Sequence, residues 1–341
     1  MTNAMSTRPL LISAILNRAS TSFGDVEIVS RLADDSLFRY SYRDLRRRAC
    51  QLANAFTEHG VVRGERVATL AWNDHRHIEI QFAVSGIGAV VHPCDPKLNS
   101  SQLARVLNLA NDTILMFEPS FLSVVEEASG RCVYVKTYVA LCDEKDMPKT
   151  HRLPNLICYE SRLKKSKDEF VWPELGENDA SALCFTSSTT VSPKEKLHTH
   201  KSSVLRALAL GMPNSLSLST QDCVLPVVAM FRGNGWGIPY AAAMNGAKLV
   251  LPGKKLDPES LYGLMEKENV TCSAGIPAMW TQLAQFMGKN NLTLTSMRSP
   301  LVGGAVVPRA LIRGYADKFN IKMQHAIGLD SPGPLKVNDI H

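Results

Sequence analysis

Between residues 60 and 120, short and almost continuously apolar runs alternate with segments of helical periodicity, and this pattern leaves few folds open to the chain. Residues 66–71, 88–92 and 113–117 are apolar runs of strand length. Residues 74–84 and 101–110, between them, repeat their apolar positions every three to four residues. Strands without polar alternation are covered on both faces, and strands separated by helices pair in parallel through crossovers. The stretch therefore predicts a parallel sheet with helices on both sides.

The flanking sequence extends the pattern. Residues 10–23 predict a helix, and residues 27–31 and 38–40 a hairpin across Ala33-Asp34-Asp35-Ser36. Ser41 with Asp44 has the spacing of a capping box, opening a helix that buries Leu45, Ala49, Leu52, Ala53 and Phe56 before Gly60 ends it. Residues 131–140 predict another strand. The charged run 142–149, with Pro148, predicts the internal boundary, and 164–173 a loop. A second alternating unit then runs through strands at 181–185, 224–228, 247–251, 270–274, 301–303 and 321–326. Its helices fall at 201–210, 236–244, 278–286 and 308–319, with one more capped by Asp257 and Pro258 that buries Leu261, Leu264 and Met265. The expected fold class is α/β with two parallel-sheet subdomains, 1–150 and 151–328, followed by a separate tail, 329–341.

Composition excludes several classes of function. The net charge of +6 is spread along the chain, and the basic runs 46–48 and 164–167 lack interleaved aromatics, so nucleic acid is not an expected partner. The eight cysteines are scattered without a C-x-x-C pair, which argues against a metal site or a disulfide framework and for a reducing, cytoplasmic setting. No apolar run approaches the roughly 18 residues of a membrane span, and the opening MTNAMSTRP has no signal-peptide core.

Residues 185–200, FTSSTTVSPKEKLHTH, carry the chemistry. Five consecutive hydroxyl residues and the Pro193-Lys194 pair lie between an apolar strand and a helix. Hydroxyls, backbone N–H groups and a lysine at a strand-to-helix turn suit a phosphate. The stretch resembles the signature of the AMP-forming acyl-CoA synthetases, [YF]-T-S-G-T-T-G-x-P-K-G-x-x-x-[ST]-H. Phe185, Thr186, Ser187, Thr189, Thr190, Pro193, Lys194, Thr199 and His200 match, whereas Ser188, Val191 and Glu195 stand where that family has glycine. The segments 68–79, 226–253, 274–280 and 301–312 are similar to the same family, so the resemblance covers roughly residues 10–328.

The resemblance implies a large N-terminal domain of two parallel-sheet subdomains and a small barrel, followed by a mobile domain; this chain is expected to stop inside the large one. It implies a reaction in which a fatty or similar apolar carboxylic acid attacks the α-phosphate of Mg-ATP and the acyl group then passes to CoA. A carboxylate is already a nucleophile, so charge neutralisation and alignment suffice and no catalytic base is assigned. Carried over by position, Thr186, Ser187, Thr189, Thr190 and Lys194 would bind the triphosphate. Gly303, Gly304 and Ala305 would lie against the adenine and the acyl pocket, and Trp236 and Gly237 would line the acyl side. Arg232 stands where many relatives have His. The Thr-Glu pair of the family's H-A-W-G-M-T-E-T-S-P is absent from His325-Ala326-Ile327-Gly328-Leu329-Asp330-Ser331-Pro332, so no metal ligand is assigned. His75 and His77 are expected to be packing or helix-surface residues. Non-glycine residues where a loop needs positive φ, and Glu195 near a phosphate, would weaken ATP binding. The expectation is an impaired ligase, with a non-catalytic acyl- or nucleotide-binding relative as the alternative, and with self-association or a completing chain as its partner.

Overall fold

The structure is a computed structural model that describes residues 8–186, 194–327 and 336–339. Its strands form two sheets. One has seven strands, in the order Leu156–Cys158, Thr137–Ala140, Ile114–Phe117, Arg66–Leu70, Val90–Pro93, Ala180–Thr186 and Lys194–Thr199. All pair in parallel except the last, which folds back antiparallel on Ala180–Thr186. The other has eight strands, in the order Lys336–Asp339, Gln324–Ile327, Ser299–Gly303, Cys272–Gly275, Cys223–Pro226, Lys248–Leu251, Glu27–Arg31 and Leu37–Ser41. Its six inner strands are parallel and its two outer ones antiparallel. The expected α/β class with two parallel sheets is the one observed.

The sheets do not divide the chain at residue 150. The amino-terminal hairpin crosses over to the eight-stranded sheet, where Val29 pairs with Val250, while Leu156–Cys158, Ala180–Thr186 and Lys194–Thr199 complete the seven-stranded one. The run 142–149 is therefore a connection within one sheet. Nor do residues beyond 328 stand wholly apart, since Lys336–Asp339 pairs with Gln324–Ile327. The strand expected over 131–140 is confined to Thr137–Ala140, and the helices Leu122–Ser129 and Tyr159–Lys164 and the three-residue strand Leu156–Cys158 were not foreseen. Elements this short carry too few periodic positions to stand out from loop sequence.

Local signals hold elsewhere. Ser41 and Asp44 form the expected capping box at the start of Tyr42–Glu58, and Asp257 accepts the Ser260 N–H ahead of Pro258–Lys267. The helix His75–Gly86 is different, because every one of its residues is buried. It packs against strands of both sheets and against the helices Ile12–Ser22 and Tyr42–Glu58. Its charged residues survive burial by pairing, whereas the side-chain amide of Gln81 is buried without a hydrogen-bond partner among the described residues. Glu79 accepts from Arg48 at 2.7 Å and from the Tyr159 hydroxyl at 2.7 Å, and Glu160 accepts from Arg48 and, at 2.8 Å, from Arg76. Burial pushes the Glu79 carboxyl above its usual range despite Arg48. Removing one member of such a buried network typically costs about 3–5 kcal/mol, because the remaining charge loses its partner. His75 and His77 are buried packing residues, hydrogen-bonded to Ser30 and Thr69. Among the described residues no helix is long and apolar enough to cross a membrane.

Candidate functional site

In open parallel sheets, ligands bind beyond the carboxyl ends of the strands, where loops diverge. Here the carboxyl ends of both sheets open onto one cleft of about 400 Å³. From the seven-stranded sheet come Trp72, Asn73 and Asp95–Lys97, and from the eight-stranded sheet come Val227–Ala229, Gly253 and Ile276. The walls are mainly apolar, and Lys97 and Arg232 add positive charge to them and Asp95 negative charge. Arg232 lays its guanidinium over the Phe231 ring, 5.2 Å from the centroid.

Asn73 holds the seam between the sheets. Its side-chain amide donates to the carbonyls of Pro226 at 3.1 Å and Val228 at 2.8 Å, and its Oδ1 accepts the Met230 N–H at 2.8 Å. Its backbone pairs with Gly253, whose N–H donates to the Asn73 carbonyl at 2.9 Å. Gly253 has φ +65°, and a Cβ there would lie 2.3 Å from the Arg31 carbonyl oxygen, so only glycine fits. Sequence reasoning read Asn73 only as part of a family-like segment. An amide between a strand end and a helix cap, just after Trp72, is the local signal that could have marked it.

The segment that follows Arg232 is strained. Residues 233–237 all have positive φ, from +50° at Gly233 to +77° at Gly237, and include the non-glycine residues Asn234 (+54°) and Trp236 (+57°). Each such non-glycine residue costs roughly 1–2 kcal/mol, and strain of this kind collects at functional sites. The Trp236 N–H donates to the Arg232 carbonyl at 3.0 Å, and the side chain is fully buried. Gly304, with φ +78°, packs on it: a Cβ at 304 would lie 3.1 Å from Trp236 Cζ2 and 3.5 Å from Ile276 of the cleft wall. The structure thus brings Trp236 and Gly304 together next to Ile276 of the cleft wall, whereas a Cβ on Gly237 would face Arg206 at 3.0 Å. Gly303 ends its strand opposite Ala326, and Ala305 is exposed.

The phosphate-type stretch is built differently from the strand-to-helix turn expected for it. Thr186 and Lys194 face each other as the closing pair of an antiparallel hairpin, and the strand Lys194–Thr199 runs back before the helix His200–Gly211 begins. Six extended residues put roughly 20 Å between Lys194 and that helix. The helix N-terminus is also already satisfied. Thr199 caps the Ser202 N–H at 3.1 Å, and the N–H groups of His200 and Lys201 donate to the Asp179 and Glu177 carbonyls. Ser187, Thr189 and Thr190, with Ser188 and Val191, lie outside the described residues. Glu195 lies in the strand, and its carboxylate accepts from Arg66 at 2.9 Å, which offsets the charge expected to repel phosphate. Burial holds the His200 ring neutral, lowering its pKa to about 4, and its Nδ1 accepts the Ile12 N–H at 3.2 Å.

Trp72 and Gly253 also border a second, polar crevice of about 310 Å³ that includes Asp74, Arg76, Glu118, Cys142, Asp143 and Lys145. Burial together with the adjacent Asp74 pushes the Glu118 carboxyl up to about 9. Among the described residues no group of three or more His, Cys, Asp or Glu side chains is placed to hold a metal ion, and Asp330 lies outside them.

A family profile described as AMP-binding enzyme matches residues 16–329. The medium-chain-fatty-acid–CoA ligase of Ectopseudomonas oleovorans is 37% identical over 335 residues, covering 98% of this chain and 61% of that protein. The long-chain-fatty-acid–CoA ligase of Thermus thermophilus is 38% identical over 324 residues, covering 95% and 58%. The crystal structure of the anthranilate CoA ligase AuaEII in complex with anthranoyl-AMP superposes with a TM-score of 0.84 at 19% identity, over 94% of this chain and 60% of that one, and so shares the fold. The chain spans about three fifths of the length of the curated relatives it matches. With both sheets delivering their strand ends to one cleft and the profile matching nearly end to end, the chain belongs to the AMP-binding enzyme family, and its relatives are acyl-CoA ligases.

Proposed function

We propose that this chain binds ATP and a fatty or similar apolar carboxylic acid in the strand-end cleft and serves the acyl-adenylating step of an acyl-CoA ligase, with CoA as the later acyl acceptor. The observation that carries the reading is the cleft itself, apolar along most of its wall, with two cations, Lys97 and Arg232, against one carboxylate, Asp95, beside the packed pair Trp236 and Gly304. Apolar walls suit an acyl chain, and nearby cations suit a carboxylate and phosphates. In this reading Lys194, Thr186, Ser187, Thr189 and Thr190 hold the triphosphate, Gly303, Gly304 and Ala305 lie against the adenine and the acyl pocket, and Trp236 and Gly237 line the acyl side. The chain's own contribution is alignment and charge neutralisation, since the attacking carboxylate needs no base. In the family Mg²⁺ neutralises phosphate charge; no residue described here is assigned to it.

A second reading, a nucleotide- or acyl-binding relative with little turnover, is favoured by Ser188, Val191 and Glu195 at three glycine positions of the signature. One pair of measurements separates the two. Acid-dependent ATP–pyrophosphate exchange above background supports the adenylating reading. Calorimetric ATP binding without exchange supports the second, and absence of both ATP and acid binding sinks both.

A further inference from the structure

Two of the eight cysteines meet at the margin of the seven-stranded sheet. Thr137–Ala140 and Leu156–Cys158 are neighbouring parallel strands with Ala140 opposite Cys158. Just beyond, the chain turns sharply, and the Cys142 N–H donates to the Ala140 carbonyl at 2.9 Å. That turn sets Cys142 beside the start of Tyr159–Lys164. The Cys158 thiol donates to the Cys142 carbonyl oxygen at 3.3 Å, the Glu160 N–H donates to the same oxygen at 3.4 Å, and the Cys158 side chain is near enough to act electrostatically on the Cys142 thiol. Cys142 lines the polar crevice, and Cys158 is not among the lining residues.

We propose that Cys142 and Cys158 are a dithiol modification site that a hydroperoxide entering the crevice oxidises to a disulfide, with Cys142 as the attacking thiol and Cys158 as the resolving one. In the first step the Cys142 thiolate attacks the peroxide and the O–O bond breaks. Sulfur takes one oxygen as sulfenic acid, and the other leaves as alkoxide or hydroxide and takes up a proton. In the second step the Cys158 sulfur attacks the sulfenic sulfur, the S–S bond forms, and the hydroxyl leaves as water with the Cys158 proton. Two thiols are oxidised by two electrons and one peroxide is reduced, so no other reactant is needed.

The surroundings of Cys142 set the rate. Arg76, from the helix His75–Gly86, donates to the Leu141 carbonyl and to Asp143 on either side of the cysteine, both at 3.4 Å. Asp143, Lys145 and Asp146 share its loop, Glu118 comes from the neighbouring strand end, and Lys254 lines the same crevice. Burial outweighs the arginine and pushes the Cys142 thiol up to about 12. Oxidation should therefore accelerate about tenfold per pH unit across neutral and mildly alkaline pH, following the thiolate fraction.

The test uses the whole 341-residue chain, reduced, freed of reductant, exposed to hydrogen peroxide while folded, and mapped by proteolysis and mass spectrometry. The expected product is a peptide pair joined through Cys142 and Cys158, two hydrogens lighter than the sum of the reduced peptides. Cys158→Ser should stop at a dimedone-trappable sulfenic acid on Cys142, and Cys142→Ser should leave Cys158 reduced. The proposal is overturned if both thiols stay reduced in the folded wild-type chain while other cysteines oxidise, or if the link appears only after unfolding in urea. A dimedone adduct on Cys158 in Cys142→Ser would overturn the assignment of roles. The wild-type map decides the main point even if neither variant folds.

Discussion

The region beside the cleft, with residues 233–237, Gly253 and Gly304, and the hairpin closed by Thr186 and Lys194 use glycine in opposite ways. In the first region, Gly233, Gly235, Gly237, Gly253 and Gly304 all have positive φ, and at Gly237, Gly253 and Gly304 a side chain would also crowd a neighbour. On the hairpin, Glu195 replaces a family glycine within an antiparallel strand, opposite Phe185. The backbone there is extended, and any residue fits. A glycine in a family pattern thus marks a backbone requirement at some positions and, at others, only the absence of a side chain near the ligand.

The comparison can be broken at several points. The largest effect is expected for Gly253→Ala, which combines an unfavourable φ with a clash against backbone that cannot swing away. A loss of about 3 kcal/mol in urea unfolding is expected, and a change below about 1 kcal/mol would show that the seam relaxes easily. Gly304→Ala should cost about 1–2 kcal/mol and shift the fluorescence of Trp236, because the new methyl meets a ring that can move by tenths of an ångström. Unchanged emission would place Trp236 elsewhere.

Acidification tests the other side of the comparison, at the base of the hairpin. Burial lowers both His198 and His200 to about 4 in the fold, whereas the unfolded chain binds these protons near 6.5. Between those values the unfolded state holds more protons, so the stability these rings contribute is full above about pH 6.5, falls as pH drops, and levels off below about 4. His200→Gln should flatten that limb of the stability–pH curve; an unchanged slope would mean that His200 titrates normally. The smallest effect is expected for Glu195→Gly. Losing a surface ion pair and gaining a flexible strand residue should together change stability by less than about 1 kcal/mol. The same variant measures how well Arg66 shields the carboxylate: ATP affinity that rises by more than about tenfold would show that the charge still reaches the nucleotide.

Much of this protein was legible in its residues. The alternation of apolar runs and helical periods determined two parallel sheets, because a strand buried on both faces cannot alternate. Caps at Ser41 and Asp257 depend on neighbours three residues away, so local sequence determined them too. The signature around Lys194 carried the family for the same reason, being one contiguous stretch. Tertiary structure alone decided which sheet the amino-terminal hairpin joins, since the pairing of Val29 with Val250 spans most of the chain and periodicity records a buried face without naming its partner. It also decided that Arg76 and Glu79 could be buried within one helix, because Arg48 and Glu160, remote in sequence, supply the opposing charges. Asn73 became the clasp of the cleft, and Glu195 the partner of Arg66, by the same rule. A polar group's role is set by the hydrogen-bonding atoms within about 3 Å of it, and the fold, not the neighbouring sequence, chooses those atoms.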